Sequence, residues 1–516
     1  MIQHNLIDSA IMSRIVGMPV SRQDFVLRED RTKDLAPGVI WRRRRFQFMV
    51  EEPTGPRMEG LCINEITIDS HAHATISPRL AGEYPHLLDL KEVENAYWAT
   101  TFAKGALRDN SAANVRQSRL YVNMAGVFFQ DDAAQREKLL ATLKRAQAAG
   151  NYDARYLDEL DELDPQWVEH PAGGYDVARF LPAFPASRLV QSSSNILAAT
   201  NAGYFLNFPE EYDDGVSALH QPLGGHMVKG RLLSPPWIAR PGFIGFSDGT
   251  IVESIYGPEE IELLIDGLAP LRLHQGNFST PVHGSVWRFF DQAEFPAPQG
   301  GAALFFTGTT LVGVEPARAK VTPPRGGVIV VLEGAHAEAV LGPNGGRRVS
   351  LRLSPRNGGT PEWMISAGPF LVRNSVAVPS DHMLAEPNAG EFRPMGPAPT
   401  RFPFDVNKTR APRTGIGRTS NGGMKIVVVD GRRSGEHSCG VTLEGLANLM
   451  AWVGCDSAIN LDGGGSSVMA IEGADQEDRL RENLPYCVVN IPSDDGGKER
   501  IVPIFVVVEG LDKQTK

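Results

Sequence analysis

Apolar residues in this chain fall mostly into short runs separated by glycine, proline and charge, the pattern of buried strands. Ile40–Val50 and Gly60–Asp69 read as strands around a turn at Pro53–Pro56. From Asn195 onward strands dominate: Ile196–Thr200, Phe243–Phe246, Ala302–Phe306, Val328–Leu332, Lys425–Asp430, Ala458–Leu461, Val468–Ile471 and Ile501–Val508. Helical spacing is rarer. Thr442–Val453 places Leu443, Leu446, Ala447, Met450 and Val453 on one stripe, with Thr442 as N-cap and Glu444 in the first turn. Gly454 suits the left-handed position after the helix. That helix runs directly into the Ala458–Leu461 strand, so a strand–helix–strand unit presents the end of that strand.

Between about 85 and 185 the pattern changes. Asp131–Ala149 has helical spacing through Leu139, Leu140, Leu143 and Ala146, and Leu157–Asp164 alternates leucine with acid as a solvated helix face does. The predicted fold class is therefore α+β, a strand-rich mixed-sheet catalytic domain with a mostly helical insertion. Residues 1–35 read as an irregular lead-in arm, 36–510 as the domain and 511–516 as a tail. Pro387–Pro412, rich in proline and glycine, reads as a long surface loop and a candidate lid. Arg42–Arg45 follow Trp41; strand alternation sends only half of them to each side, which favours a solvated edge strand over an anion-binding patch.

Composition narrows the function. A chain of 516 residues has room for a large core and more than one lobe. A formal net charge of −10 argues against a general nucleic-acid-binding role. No apolar run is long enough to span a bilayer, and Met1–Gln23 lacks the plan of a secretory signal. Cys62, Cys439, Cys455 and Cys487 are far apart and without CxxC spacing, which points to buried free thiols and a cytoplasmic protein. Oligomeric state is left open.

Candidate chemistry centres on Asn460-Leu461-Asp462-Gly463-Gly464-Gly465-Ser466-Ser467. A carboxylate at a strand end is rigidly held. Consecutive glycines permit positive φ and close approach of a ligand, and their N–H groups can form an anion-binding concavity. There is no lysine before the hydroxyls, so this is not a nucleotide P-loop. Glu436-His437-Ser438-Cys439-Gly440 misses the nucleophile-elbow pattern at its first glycine. His71 and His73 would share a strand face, but no further ligand at metal spacing supports the pair. His220, His226 and His283, in loops rich in glycine and proline, are candidate general acids.

Three more segments join the turn: Asn201-Ala202-Gly203-Tyr204-Phe205, Pro412-Arg413-Thr414-Gly415-Ile416-Gly417 and Val429-Asp430-Gly431-Arg432. In this order, with Asn490-Ile491-Pro492-Ser493-Asp494, Arg500 and the opening Ala36-Pro37-Gly38-Val39, they resemble the phosphodiester glycosidase domain family over about 36–510. The resemblance implies a hydrolase that cleaves the glycosidic C–O bond of a sugar-1-phosphodiester, giving free sugar and a phosphomonoester. A phosphodiester leaves as a stable anion, so preorganised donors matter more than a strong general acid. On that reading Asp462, Arg413, Asn201 and Ser466 are the catalytic candidates. Tyr204, Gly203, Asp430, Arg432, Gly463, Gly464, Gly465, Ser467, Asn460, Asn490 and Arg500 are the substrate-binding ones. Arg413 or Arg432 would clamp phosphate oxygens, and Asn201 and Tyr204 would hold sugar hydroxyls. The expected partner is a carbohydrate or sugar phosphate. No cofactor is required, although abundant carboxylates and loop carbonyls leave room for a structural calcium ion. Two alternatives share the scaffold: an ordinary glycoside hydrolase using Glu211 or Asp213 as acid, and a catalytically silent carbohydrate-binding protein.

Overall fold

The computed structural model describes residues 8–21, 25–50, 55–87, 179–180, 183–205, 218–219, 222, 224–275, 283–288, 300–317, 327–341, 347–356, 358–384, 409–433, 437–494 and 497–511. The expected helices at Asp131–Ala149 and Leu157–Asp164, the bulk of the insertion, most of the candidate lid, Glu211, Asp213, His220 and Glu436 lie outside the described residues.

The largest sheet has eight strands in the order Val26–Ala36, Val39–Val50, Arg57–Ile68, Met424–Val429, Arg413–Thr419, Cys455–Asn460, Phe370–Arg373 and Val376–Ala377. Every neighbouring pair is antiparallel. A four-stranded antiparallel sheet, Met469–Ile471, Ile196–Asn201, Ile504–Gly510 and Ala74–Leu80, lies against one face of it. Trp41, Ile66, Ile426 and Ile459 from the large sheet meet Ala198, Met469, Val506 and Val508 from the small one in a single core. The opposite face of the large sheet is covered by the helices Ser9–Val16 and Leu443–Trp452, through Met12, Ile15, Leu446 and Met450. Beyond the small sheet, Leu189 and Val190 of the helix Ala186–Ser192 pack on Phe505 and Val507. Two five-stranded sheets and a three-stranded one form the remaining body, with Leu263, Val286, Leu304 and Val330 in a separate core. The described sheets are antiparallel where the sequence suggested mixed ones; parallel pairing is confined to two two-residue contacts, Arg179–Phe180 with Ala218–Leu219 and His274–Gln275 with Ser285–Val286.

Two local expectations change. Residues 8–16 and 26–36 are not an irregular arm: Asp8 caps a helix whose Met12, Ile15 and Val16 are buried, and Val26–Ala36 is the true edge strand of the large sheet. The arginine-rich strand is therefore internal. Arg43 and Arg44 are buried on opposite faces. Arg43 donates to Glu29 and to the carbonyls of Glu477 and Val489, while Arg44 pairs with Glu65 and stacks its guanidinium 4.3 Å from the Trp452 ring centre. Such burial is tolerable beside counter-groups: a carboxylate and carbonyl oxygens for Arg43, a carboxylate and an aromatic face for Arg44. His71 and His73 are exposed in the turn between two strands, not aligned on a strand face.

The helix Leu443–Trp452 forms where its pattern placed it. Thr442 Oγ1 accepts the Gly445 N–H at 3.0 Å, and Gly454 takes a φ of 92° just beyond the C-terminus. Thr442→Ala is expected to lower unfolding free energy by about 1 kcal/mol in urea titration, with Thr442→Ser close to wild type. Equal losses for both substitutions would show that the threonine methyl, not the cap, is what counts. Met424–Val429 and Cys455–Asn460 run parallel because both pair antiparallel to Arg413–Thr419 between them. The helix makes the return crossing, and this delivers Asp430, Arg413 and Asp462 to one end of the sheet.

Candidate active site

Ile196–Asn201 ends in the small sheet beside the end of Cys455–Asn460 in the large one. Asn201 joins them. Its Nδ2 donates to the Asp462 carbonyl at 2.6 Å, and its Oδ1 accepts from Thr414 Oγ1 at 2.9 Å. The Asp462 N–H donates to the Ala202 carbonyl at 2.9 Å. Asn201 is buried and spends its amide on protein groups, so the structure gives it the part of a clasp that fixes the Asp462 backbone.

Asp462 is half-buried, with Oδ1 accepting the Gly463 N–H at 2.8 Å. Burial raises its carboxyl above the ordinary aspartate range. The Ser466 hydroxyl, Arg500 and the Gly463 N–H pull the other way, and Asp494 adds to the rise. Gly464–Ser466 form one turn of 3₁₀ helix. Each glycine answers a different constraint. A Cβ at Gly463 would meet the Pro412 carbonyl at 3.0 Å, and Gly464 has a φ of 61°. A Cβ at Gly465 would fall 1.9 Å from Asp494 Oδ1 and 2.3 Å from Arg500 Nη2.

The expected backbone concavity is largely occupied from within. The Gly463 N–H goes to Asp462, Gly464 N–H to the Pro412 carbonyl at 2.9 Å, and Ser466 N–H to the Gly463 carbonyl at 3.2 Å. Positive charge around the turn comes instead from side chains. Arg500 grips Asp494 with two parallel bonds of 2.8 and 3.0 Å and donates to Ser466 Oγ at 3.3 Å. Arg432, exposed and at a φ of 59° that residues with a Cβ seldom adopt, lays Nη2 3.1 Å from where a Gly464 Cβ would stand. Its Nη1 donates to Ser493 Oγ at 3.3 Å. Arg413 lies close enough for its charge to act on Asp462, but it is buried and donates to the carbonyls of Val441 (3.1 Å) and Thr409 (2.9 Å). Burial lowers its guanidinium to about 10, still charged at neutral pH.

On the other side of Asp462, Tyr204 Oη accepts from Asn460 Nδ2 at 2.5 Å and donates to the Gly368 carbonyl at 3.2 Å. Burial pushes the phenol up to about 12, so it stays protonated. The Arg240 guanidinium lies 5.7 Å from its ring centre. Gly203 admits the imidazole of His226, whose nearest ring atoms would be 3.1 Å from a Cβ there. His226 is fully buried, with Nδ1 facing the Gly224 carbonyl at 3.0 Å, and burial drops its pKa to about 4. A neutral ring of this kind is no proton donor at neutral pH, so the acid role expected for His226 is withdrawn. His283 accepts the Glu333 N–H at 3.0 Å, beside His336 in the other body.

Asp430, Asn490 and Ser467 are buried behind the turn, with their polar groups on protein partners. Asp430 is wholly buried, accepting from Asn490 Nδ2 (2.9 Å), the Ile491 N–H (2.9 Å) and His437 (2.6 Å). Asn490 in turn accepts the Met469 N–H at 2.8 Å and donates to the Ser467 carbonyl at 3.3 Å. The Ser467 hydroxyl lies 3.3 Å from Thr414 Oγ1. Ser438, from the near-elbow, bridges the Asp430 carbonyl and the Cys62 N–H and is no nucleophile. The residue that sequence reasoning missed is Asp494. It closes the motif Asn490–Asp494 but was not singled out there, because the Gly465 contact that places it comes from a distant segment.

All four cysteines are free and buried, and no helix among the described residues is long and apolar enough to cross a membrane. Comparison with known proteins finds likenesses of differing reach. The Bacillus subtilis SPbeta prophage-derived uncharacterized protein YomE is 44% identical over 69 residues, which cover 13% of this chain and 10% of that protein. The chain thus spans a tenth of that relative's length. A Burkholderia pseudomallei protein described as exported superposes with a TM-score of 0.49 at 17% identity, over 95% of this chain and 98% of its own. The zebrafish N-acetylglucosamine-1-phosphodiester alpha-N-acetylglucosaminidase catalytic domain, auto-inhibited by its pro-peptide, gives 0.37 at 11% identity, over 95% and 89%. Residues 300–509 match the family model of the phosphodiester glycosidases, and they hold Arg413, Arg432, the Asp462 turn, Asp494 and Arg500. Over that stretch the chain is similar to the phosphodiester glycosidases.

Proposed function

We propose that the chain hydrolyses a sugar-1-phosphodiester at the anomeric C–O bond, with Asp462 as the reacting carboxylate. One observation supports this most: a carboxylate raised by burial lies within reach of the charges of Arg413 and Arg500, on a glycine turn against which Arg432 is laid. The phosphodiester oxygens face the guanidinium side, with Arg432 as the most accessible donor. As the C–O bond breaks, the electron pair leaves with the phosphomonoester, and the arginines stabilise its growing charge. Asp462 faces the anomeric carbon and either takes the proton of the attacking water or stabilises the oxocarbenium-like centre. Water supplies the new anomeric hydroxyl. Tyr204, held protonated, and Asn460 supply hydrogen bonds to sugar hydroxyls.

The deciding experiment is a screen of sugar-1-phosphodiesters in ¹⁸O-water, with reducing-sugar detection. Label in the sugar supports C–O cleavage. Label in the phosphate, or no release from any phosphodiester, ends this reading. Within it, Arg432→Ala is expected to cost about tenfold to a hundredfold in kcat/KM on phosphodiesters, as the loss of one charge-assisted bond. Activity on a phosphate-free glycoside should be unmoved, and equal losses on both would remove Arg432 from phosphate binding. Arg413→Ala is the poorer probe, because its guanidinium also ties the carbonyls of Val441 and Thr409 together.

A further inference from the structure

We propose that Cys62, Asp430 and His437 form a binding site for a zinc-class divalent cation, one layer behind the glycine turn. The thiol sulfur, a carboxylate oxygen and an imidazole nitrogen lie within 4.8 Å of one another. The proposed hydrolysis uses none of the three.

Two of the ligands are fixed by the large sheet. The Asp430 N–H donates to the Cys62 carbonyl at 3.1 Å, so the thiol and carboxylate come from adjoining strands. Ser438 braces the pair, accepting the Cys62 N–H at 3.2 Å and donating to the Asp430 carbonyl at 2.6 Å. Asn490 Nδ2 and the Ile491 N–H orient the carboxylate, each at 2.9 Å, and Asn64 Nδ2 approaches the sulfur at 3.9 Å. Donors of this kind around first-rank ligands are what orient and tune a metal site. The third ligand is adjustable. His437 keeps 12% of its side chain exposed, against none for Cys62 and Asp430, and its Nε2 touches Asp430 Oδ2 at 2.6 Å. Ligand atoms about 2.0–2.3 Å from a tetrahedral ion stand roughly 3–4 Å apart, so the imidazole need swing by only about 1 Å. A water takes the fourth position.

The donor set selects the ion. One sulfur, one nitrogen and one oxygen suit zinc, whereas calcium takes six or more oxygens. Thiolate and carboxylate together cancel the double charge. Binding replaces the S–H bond by an S–metal bond and releases that proton to solvent; His437 binds as the neutral ring. Without an ion, burial and the Asp430 charge hold the Cys62 thiol protonated. The consequence for the enzyme is mechanical. Asp430 holds Asn490, and Asn490 holds the Ser467 carbonyl and the Met469 N–H, so the ion would brace the strand leaving the Asp462 turn.

The test uses the full chain, stripped with chelator and titrated with Co²⁺. One equivalent should develop thiolate-to-cobalt charge-transfer absorption, be displaced by Zn²⁺, and raise the melting temperature. Cys62→Ser should abolish the charge-transfer band, and His437→Ala should weaken Co²⁺ binding by at least about tenfold. Absence of the band in the wild-type chain overturns the proposal, as does its survival in Cys62→Ser, which would assign it to another cysteine. If Cys62→Ser fails to fold, unchanged Co²⁺ affinity in His437→Ala, a substitution at the open rim, overturns it equally.

Discussion

Asp462→Asn lowers kcat/KM on the best sugar-1-phosphodiester by at least about 10³-fold and leaves the fold intact. The amide is isosteric and can still accept the Gly463 N–H, so the turn and its clasp to Asn201 survive. What is lost, on the proposed reaction, is the negative charge facing the anomeric carbon, and groups in such positions contribute about 10²–10⁴ in rate. The pH dependence carries a second signature. Because burial holds the carboxyl above its ordinary value, the acid limb of kcat/KM should lie above the ordinary aspartate pKa of 3.8. The stability effect has the opposite sense. A carboxyl whose folded pKa exceeds its unfolded one binds more protons in the native state. Stability is therefore fullest below the unfolded value and falls as pH rises through the folded one. Removing the charge removes that cost, so the asparagine variant should melt higher than wild type at neutral pH and equally at pH 3. Activity within tenfold of wild type, measured by released reducing sugar, would take Asp462 out of the reaction.

Gly465→Ala, a change of one methyl group, should cost about 10²-fold in kcat/KM. The added carbon cannot coexist with Asp494 Oδ1 at 1.9 Å and Arg500 Nη2 at 2.3 Å. Either the carboxylate–guanidinium pair moves outward, taking the Ser466 contact with it, or the turn carrying Asp462 shifts. Displacements near 1 Å at a reacting centre cost on this order. Gly464→Ala acts differently. Its penalty is the φ of 61°, so it should lower the melting temperature, with a smaller change in rate for the molecules that remain folded. Similar kcat/KM for Gly465→Ala and wild type would mean that the Asp494–Arg500 pair has no bearing on catalysis.

Much of the fold can be read from local pattern. The strand runs, the Thr442 cap, the Gly454 turn and the singular Asp462 segment depend on spacing within ten or so residues, where periodicity and backbone preference act directly. The candidate site is legible only in part. Asp462 and Arg432 stand out in the sequence because a triple-glycine turn and an ordered motif set mark them. Asp430 looked equivalent, yet its carboxylate turns inward to Asn490, Ile491 and His437. The glycine amides looked free, yet that of Gly464 donates to the Pro412 carbonyl, just before a distant strand. Arg43 and Arg44 looked solvated because their oxygen partners, Glu65 and the carbonyls near residues 477–489, are not neighbours in the chain.

The amino-acid order alone determined that this is a strand-rich chain with one rigid, side-chain-free turn presenting a carboxylate, since backbone freedom and apolar period are properties of short segments. Only the tertiary structure decided which charges surround that carboxylate and which serve behind it, because a buried ion is tolerable only beside its counter-groups, and those arrive from segments tens to hundreds of residues away.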